Sequence, residues 1–171
     1  MKAIYLSGDD VYLRAMVEDD KNHAMAWIGV PFPVNAARAE EILKERHKQF
    51  WPTTRYFAIC RANNDEVIGG ATFSLRLRTA SIAFQMAPWL DDGDEMQAAA
   101  LRLMIPWLRD EWDMMVVTLR FPDELPVLQS AAGELGMVHT GTFREFYARP
   151  GGRVNQLIYE ALNPKGEIPD A

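Results

Sequence analysis

The feature that most constrains the fold is the change in hydrophobic period along the chain. Apolar residues recur at helical spacing before residue 50 and again between residues 95 and 113, whereas the segment between them alternates apolar and polar residues. Strand and helix patterns then alternate towards the C-terminal end. The order is strand, two helices, three strands, helix, strand, helix and two strands. This order predicts an α+β domain with helices on a mostly antiparallel sheet.

The patterns give boundaries for seven strands and four helices. The strands cover Val11–Met16, Arg55–Arg61, Val67–Leu77, Ser81–Ala87, Met114–Arg120, Val138–Ala148 and Arg153–Leu162. Three of the helices cover Glu18–Ile28, Glu95–Asp113 and Leu125–Leu135. The fourth, which is second in chain order, is capped by Asn35 and extends to Phe50. Pro106 lies inside the third helix, where it removes one backbone hydrogen bond, so we expect a kink or a break.

Length and composition predict one ordinary globular domain. A chain of 171 residues buries roughly 70% of the surface that the unfolded chain exposes, so it needs no disulfide bonds or metal ions to form a stable core. We find no linker, and we expect the domain to cover residues 1–162 and a tail to cover residues 163–171. The single cysteine, Cys60, lies in an apolar run, which is typical of a buried thiol in a reducing compartment.

The charge balance and the terminal sequence exclude several classes of partner. Eighteen Lys and Arg residues against 24 Asp and Glu residues give a net charge of −6, which argues against nucleic acid as the main partner. No apolar stretch approaches the roughly 20 residues that span a bilayer. The first residues turn acidic too soon for a signal peptide. We therefore expect a cytoplasmic protein that does not bind membranes.

Three segments carry a resemblance to a known family. Val11–Asp20 runs from a strand ending in Leu-Arg into an acidic helix start, Glu66–Phe73 is a strand with two glycines, and Ala132–Glu145 passes from a glycine-ended helix into a strand. In this order they resemble the acetyl-coenzyme A dependent N-acetyltransferase superfamily, in particular the branch that acetylates ribosomal-protein N-termini. The resemblance spans roughly residues 11 to 162.

The resemblance implies both an architecture and a reaction. It implies a mixed sheet of about seven strands that splays between the fourth and fifth strands, where the pantetheine arm of acyl-coenzyme A would lie. The enzyme would move an acetyl or other acyl group to a primary amine of a small molecule or a protein N-terminus. Much of the rate would come from proximity of thioester and amine. The resemblance leaves a homodimer open.

The phosphate-binding loop departs from the family pattern. Aligning the family's first glycine with Gly93 places Leu90 where relatives have Arg or Gln. Four carboxylates then lie where two phosphates would rest, and each like-charge pair costs roughly 1 kcal/mol at about 4 Å in water. They are Asp91, Asp92, Asp94 and Glu95. We expect weak or altered cofactor binding; alternatively, Asp91, Asp92 or Asp94 caps the helix. The cofactor residues that the resemblance implies are Met86, Ala87, Gly93, Glu95 and Met96.

The family's catalytic positions are also replaced. The tyrosine that many relatives use as an acid corresponds to Ala132, and the asparagine and serine of the ribosomal branch fall near Leu125 and Leu128. Glu145 is the best remaining general base, on a strand face shared with His139, Phe143 and Tyr147. Gln85 lies on the polar face of the fourth predicted strand and is the second catalytic candidate, although an amide is not a base near neutral pH.

The acceptor site is predicted from aromatic and cationic side chains. Trp27 and Phe32 could cover an acceptor pocket or pack in the core. Alternation places Arg76 and Arg78 on one face of a strand, where they could hold a carboxylate or phosphate, or face solvent. Tyr147 is the fifth candidate. No metal site is predicted, because His23 and His47 have no carboxylate or cysteine at ligand spacing.

The sequence is compatible with two functions. The first is an N-acyltransferase with an altered acyl-coenzyme A site. The second is a binding module in which the cofactor site has decayed and the cleft holds another ligand or a partner protein. The acidic loop favours the second function, whereas the resemblance along the whole chain favours the first.

Overall fold

The computed structural model describes residues 4–29, 34–47 and 53–164, and within these ranges one mixed sheet of eight strands organises the chain. The strands are β1 Ile4–Ser7, β2 Val11–Ala15, β3 Thr54–Arg61, β4 Val67–Arg76, β5 Thr79–Met86, β6 Val116–Pro122, β7 Val138–Arg149 and β8 Gly152–Leu162. Their spatial order is β1-β2-β3-β4-β5-β6-β8-β7. Neighbouring strands are antiparallel except β5 and β6, which are parallel. The α+β prediction is confirmed.

The additional strand relative to the seven predicted is β1. It has four residues and lies at the sheet edge beside β2, and three of the four are exposed. A strand this short with little buried surface leaves no clear alternation in the sequence. The other seven strands lie within a few residues of their predicted bounds.

Four α-helices accompany the sheet in the described ranges. They are α1 Ala24–Trp27, α2 Ala36–His47, α3 Gly93–Pro106 and α4 Pro126–Glu134. A 3₁₀ helix, Glu18–His23, leads into α1. Asn35 caps α2 as predicted, because its Oδ1 accepts the N–H of Arg38 at 2.9 Å. None of these helices is long and apolar enough to cross a lipid bilayer.

Pro106 ends α3 without ending the helical path. The chain continues as a π-helical turn, Trp107–Glu111, which the N–H of Trp112 closes on the carbonyl of Trp107 at 3.1 Å. A proline inside a helix removes the bond to the preceding turn, and a wider turn accommodates that loss. The effect of Pro106 is therefore a change of helix type, in place of the predicted kink or break.

A buried ion pair fixes the start of the first helical segment. The Arg14 guanidinium donates to both Asp20 oxygens at 2.7 and 2.8 Å, and both side chains are almost fully buried. The Asp20 carboxylate also accepts the N–H of Val17 at 2.8 Å. The hydrogen bond to Asp20 raises the pKa of Arg14 above its ordinary value. The segment after these bonds is a 3₁₀ helix followed by α1, where the sequence predicts a single α-helix over Glu18–Ile28.

Two layers of core cover the two faces of the sheet. The layer that includes α3 and α4 contains Leu13, Ile59, Phe73, Ile82, Leu101, Met104, Leu119, Phe121 and Leu128. The layer that includes α1 and α2 contains Ala26, Trp27, Ala39, Leu43, Ala58 and Cys60. Cys60 has no exposed surface, as predicted.

The parallel pair β5 and β6 separates partway along its length. Its register runs from Thr79 opposite Val116 to Ile82 opposite Leu119 and then stops. Beyond that point β5 pairs only with β4, and β6 pairs only with β8. The chain crosses from β5 to β6 through α3, whose N-terminus follows the C-terminal end of β5. The predicted splay between these strands is confirmed.

Candidate active site

A cleft of about 460 Å³ lies where β5 and β6 diverge. Its walls come from the C-terminal halves of both strands, the first turns of α3, the segment after α1, and β7. The lining residues are Gly29, Ala83, Phe84, Gln85, Met86, Gln97, Arg120, Phe121, Pro122, Leu125, Tyr147 and Arg149. The volume lies within the range of small-molecule sites, roughly 300–1,000 Å³, and the lining is rich in polar side chains.

Gly29 allows the segment after α1 to approach β5. A Cβ atom at this position would lie 2.5 Å from Oε1 of Gln85, which is far inside van der Waals contact. The Gln85 amide also donates from Nε2 to the carbonyl of Met86 at 3.0 Å. Gln85 is thus held between two elements at the cleft wall, where its amide can orient a ligand but cannot take a proton near neutral pH.

Tyr147 presents a phenol that is fixed by a buried neighbour. Nε2 of Gln156 donates to the Tyr147 hydroxyl oxygen at 2.6 Å, and Gln156 is 6% exposed. Because the oxygen already accepts this bond, the hydroxyl proton is left to donate to another group. Tyr147 is the only hydroxyl among the described lining residues.

The charged side chains of the cleft are all cationic. Arg120 and Arg149 line it, and the described lining residues include no aspartate, glutamate or histidine. Arg149 donates from Nε to Glu124 at 2.8 Å, and its guanidinium carbon lies 5.5 Å from the centre of the Tyr147 ring. Arg120 forms none of the ion pairs found in the described ranges.

Two carboxylates of the acidic loop are held by distant partners. Asp92 is the residue before α3, and its oxygens accept from Arg61 at 2.7 and 2.8 Å. That hydrogen bond lowers the pKa of Asp92. Asp94 accepts the N–H groups of Val127 and Leu128, both at 2.8 Å, and thereby caps α4. Asp91 and Glu95 are exposed to solvent.

The expectation that this loop caps its own helix is wrong. No side chain forms a capping hydrogen bond at the N-terminus of α3. The guanidinium of Arg61 gives Asp92 a charge-assisted bond, and the first turn of α4 offers Asp94 two free N–H donors. Asp92 and Asp94 therefore bind these distant partners and do not cap α3.

Three of the predicted site residues, Gln85, Met86 and Tyr147, line the cleft together. The remaining cofactor candidates follow β5 along the chain towards α3. Ala87 is buried and donates its N–H to the carbonyl of Ile68 at 2.9 Å. Gly93 begins α3, Glu95 is exposed, and Met96 is buried with its sulfur 3.6 Å from Nη1 of Arg61. Their cofactor roles stay predictions.

The acceptor candidates other than Tyr147 lie away from the cleft or outside the described residues. Trp27 is buried in the layer with α1 and α2, and its Nε1 donates to the carbonyl of Asp20 at 2.8 Å. Phe32 lies outside the described residues. Arg76 is paired with Thr79 where β4 meets β5, at the opposite end of β5 from the cleft.

Arg78 does not share a strand face with Arg76, contrary to the alternation predicted. The φ of Leu77 is +54°, and Leu77 and Arg78 form the turn between β4 and β5. From that turn, the Arg78 guanidinium pairs with the Asp113 carboxylate. The turn therefore separates the two arginines.

Glu145 lies in a bulge of β7. The register shifts between Phe143 and Tyr147, and the φ of Glu145 is +50°. Asn155 accepts its N–H at 3.0 Å, and Arg153 donates to its carbonyl at 2.6 Å. Between the pairs Phe143–Gln156 and Tyr147–Val154, β7 has two residues more than β8, and a further extra residue lies between His139 and Gly141. The predicted common face of His139, Phe143, Glu145 and Tyr147 is therefore not formed. The Glu145 side chain is exposed and does not line the cleft. Its role as a base stays a prediction.

Sequence reasoning missed several lining residues, of which Arg120 and Arg149 carry charge. Arg120 lies between the buried Leu119 and Phe121, so the alternation of β6 predicts that its side chain faces away from the core. Arg149 lies two residues after Tyr147 in the regular part of β7, so extending the alternation from Tyr147 predicts its position too. Across the described ranges, no group of three or more His, Cys, Asp or Glu residues could hold a metal ion.

Comparison with solved structures shows the family. A provisionally assigned acetyltransferase from Sphaerobacter thermophilus DSM 20745 is 46% identical, with a TM-score of 0.77, over 96% of this chain and 99% of that chain. The chain therefore belongs to the GNAT superfamily of N-acetyltransferases. No family model matches the sequence, and no curated protein matches it.

Two further solved structures share the fold at low identity. One is a spermidine/spermine N-acetyltransferase from Vibrio cholerae, which is 16% identical with a TM-score of 0.69 over 91% of this chain and 94% of that chain. The other is a ribosomal-protein-S5-alanine acetyltransferase from Vibrio fischeri, which is 14% identical with a TM-score of 0.68 over 97% of this chain and 100% of that chain.

Proposed function

We propose that the protein is a cytoplasmic N-acyltransferase that moves an acetyl or other acyl group from acyl-coenzyme A to a primary amine. The observation that carries the proposal is the cleft of about 460 Å³ at the split of β5 and β6, beside the N-terminus of α3. The superfamily supports an acyl-coenzyme A donor. The likeness to the spermidine and ribosomal-protein enzymes supports a small-molecule amine or a protein N-terminus as the acceptor.

The residues at the split fit the acyl arm of the donor. Beyond Ile82, β5 has no ladder partner on the β6 side, so backbone N–H and C=O groups there are available to the amides of a pantetheine arm. Met86, Phe84 and Phe121 supply apolar surface beside them. When bound, acyl-coenzyme A would supply the thioester carbonyl that the amine attacks.

The acidic loop fits the phosphates less well, but better than its sequence indicates. The first N–H groups of α3 have no capping side chain, and helix N-termini favour anions. Asp92 is neutralised by Arg61, and Asp94 is directed to α4. The loop carboxylates that still repel the phosphates are those of Asp91 and Glu95. We propose a cofactor site that works with reduced affinity.

The chain's contribution to catalysis is chiefly positional. The cleft holds an amine against one wall while Gln85 and Tyr147 offer fixed hydrogen-bonding groups, and such alignment supplies a large part of the rate of acyl transfer. The Tyr147 hydroxyl, whose oxygen accepts from Gln156, has its own proton free to give to the departing thiolate. We assign Tyr147 the role of general acid.

No described lining residue is a base near neutral pH. The amine therefore loses its proton to water before attack, or binds as the free base. Glu145 becomes a base only if the bulge of β7 rearranges so that its carboxylate enters the cleft. This assignment predicts that activity rises with pH through the pKa of the acceptor amine.

Substitution of Tyr147 tests the assignment. Tyr147→Phe keeps the ring and removes the proton, so kcat should fall about 100-fold, a typical contribution of one general acid, while acetyl-coenzyme A affinity is unchanged. Tyr5→Phe, which changes an exposed phenol on β1, is the matched control and should leave kcat unchanged. Equal rates for Tyr147→Phe and the unsubstituted protein would contradict the role.

A binding module without catalysis is the second candidate. The observation that favours it is the pair of exposed carboxylates, Asp91 and Glu95, at the start of α3. In that case the cleft would hold a ligand without acyl transfer. Titration calorimetry with acetyl-coenzyme A at low salt separates the two candidates, because only the enzyme requires the cofactor to bind.

A further inference from the structure

We propose that the acceptor is a small-molecule amine that also carries an anionic group, a carboxylate being the simplest, and that the guanidinium of Arg120 binds this group. The inference rests on the proposed function and names its substrate class. It starts from the charge of the cleft, which contrasts with that of the protein. The chain has a net charge of −6, yet the described lining residues include two arginines and no carboxylate.

Arg120 is positioned for a ligand by the alternation of β6. Leu119 and Phe121 on either side are buried in the layer with α3 and α4, so Arg120 faces the opposite side of the sheet. It is the first residue of β6 beyond the last pair with β5, which places its side chain at the mouth of the split. It forms no ion pair within the described ranges, unlike Arg149, which Glu124 already holds.

Arg120 lies on the face of the sheet where the acceptor would bind, so the anionic group that it binds belongs to the acceptor and not to the cofactor. Met96, near the N-terminus of α3 where phosphates would rest, belongs with Leu119 and Phe121 to the core layer on the other face of the sheet. The wall shared with Arg120 is formed by Gly29, from the segment after α1, and by Tyr147. An acceptor carboxylate on Arg120 would therefore lie on the same side as the proposed acid.

The same charges disfavour a polyamine. A second ammonium group in this cleft would meet the guanidinium of Arg120, and the described lining residues include no carboxylate to balance it. Like charges close together are costly, and an unpaired guanidinium gains a charge-assisted, two-pronged bond from a carboxylate. A primary amine bearing a carboxylate is the acceptor that this arrangement selects.

Matched acceptor pairs test the inference. Phenylalanine with phenethylamine, lysine with cadaverine, and histidine with histamine differ only in the α-carboxylate. We expect kcat/KM to favour the carboxylated member of an accepted pair by about 10- to 100-fold, the effect of one charge-assisted hydrogen bond. Arg120→Gln should remove this preference by raising the KM of the amino acid and should leave the KM of acetyl-coenzyme A unchanged. Arg102→Gln, which removes an exposed arginine on α3, is the control and should keep the preference.

Calorimetry without coenzyme A supplies a readout that does not depend on turnover. The N-acetyl derivative of each amino acid should bind to the unsubstituted protein more tightly than the N-acetyl derivative of the matched amine, and Arg120→Gln should abolish the difference. The inference is overturned if neither derivative binds, if the two bind equally, or if cadaverine is preferred to lysine. It is also overturned if Arg120→Gln raises the KM of acetyl-coenzyme A alone. If acetyl transfer is absent but the binding difference is seen, the proposed function fails, whereas the binding of a carboxylate by Arg120 stands.

Discussion

Removing the two exposed carboxylates of the acidic loop should strengthen acetyl-coenzyme A binding. Asp91 and Glu95 are the loop carboxylates that the structure leaves in solvent, whereas Asp92 pairs with Arg61 and Asp94 caps α4. The double substitution Asp91→Asn with Glu95→Gln therefore removes two negative charges and keeps both structural contacts. Substituting all four acids would break the ion pair to β3 and the cap of α4 as well.

The magnitude follows from Coulomb's law. A carboxylate and a phosphate repel by about 1 kcal/mol at 4 Å in water and about 4 kcal/mol near a protein surface, and by roughly half of this at twice the distance. Two carboxylates at the longer distance then oppose binding by about 1 to 4 kcal/mol. We expect the unsubstituted protein to bind acetyl-coenzyme A with a Kd weaker than about 100 μM and the double variant to bind at least about 5-fold more tightly.

Titration calorimetry at low salt measures this gain, and repeating it with added salt tests its origin. Exposed charges are screened over about 10 Å at 0.1 M ionic strength, so the gain should shrink as salt is added. Glu111→Gln is the control, because it removes an exposed carboxylate at the far end of the π-helical turn. Its affinity should not change. Loss of the Glu95 carboxylate from the first turn of α3 should lower stability slightly, by about 0.3 to 1 kcal/mol.

Several results would refute the reasoning. An unchanged or weaker affinity in the folded double variant would show that the phosphates do not rest near the start of α3. A gain that persists undiminished at high salt would show that its cause is not the removed charge. Low-micromolar binding by the unsubstituted protein would show that the loop does not oppose the cofactor.

Two further predictions concern stability. Asp20→Asn leaves the buried Arg14 guanidinium without its counter-charge, so the free energy of unfolding should fall by about 3 to 5 kcal/mol and Tm by roughly 10 °C in thermal unfolding. The control Asp19→Asn changes an exposed residue and should cost little stability. An equal effect of both substitutions would contradict the role of the ion pair. Burial, helped by hydrogen bonds with Cys60 and Asp65, raises the pKa of Tyr12 to about 12. Its stabilising contribution is complete below pH 10, the ordinary pKa, and is lost as the pH rises to about 12, by roughly 2 to 3 kcal/mol. Urea unfolding across this range should show the loss, and Tyr12→Phe should reduce it; an undiminished loss in the variant would assign it to another group.

Much of the fold was predictable because most of its elements bury one face. The alternation in β5 and the apolar stripe of α3 give the element order, and the resemblance adds the split between β5 and β6. The four-residue β1 gave no such signal because most of it is exposed. Local patterns are informative only where burial imposes a period.

The site was harder to predict because its details depend on partners that are distant in sequence. The loop acids at 92 and 94 find Arg61 and the first turn of α4, more than thirty residues away. The bulge in β7 moves Glu145 out of the expected face while Tyr147 still lines the cleft. Neither event leaves a trace in local composition, whereas Arg120 could have been assigned by extending the alternation of β6 beyond the split.

The most direct test of the central claim is an acetyl-transfer assay with purified protein, labelled acetyl-coenzyme A and a panel of primary amines. Mass spectrometry identifies the acetylated amine, and a thiol reagent measures released coenzyme A. We predict an amine that gains one acetyl group on nitrogen, with one thiol released for each product formed. Uncleaved acetyl-coenzyme A with every amine, together with a ligand that binds the cleft without reacting, would contradict the account and identify the protein as a binding module.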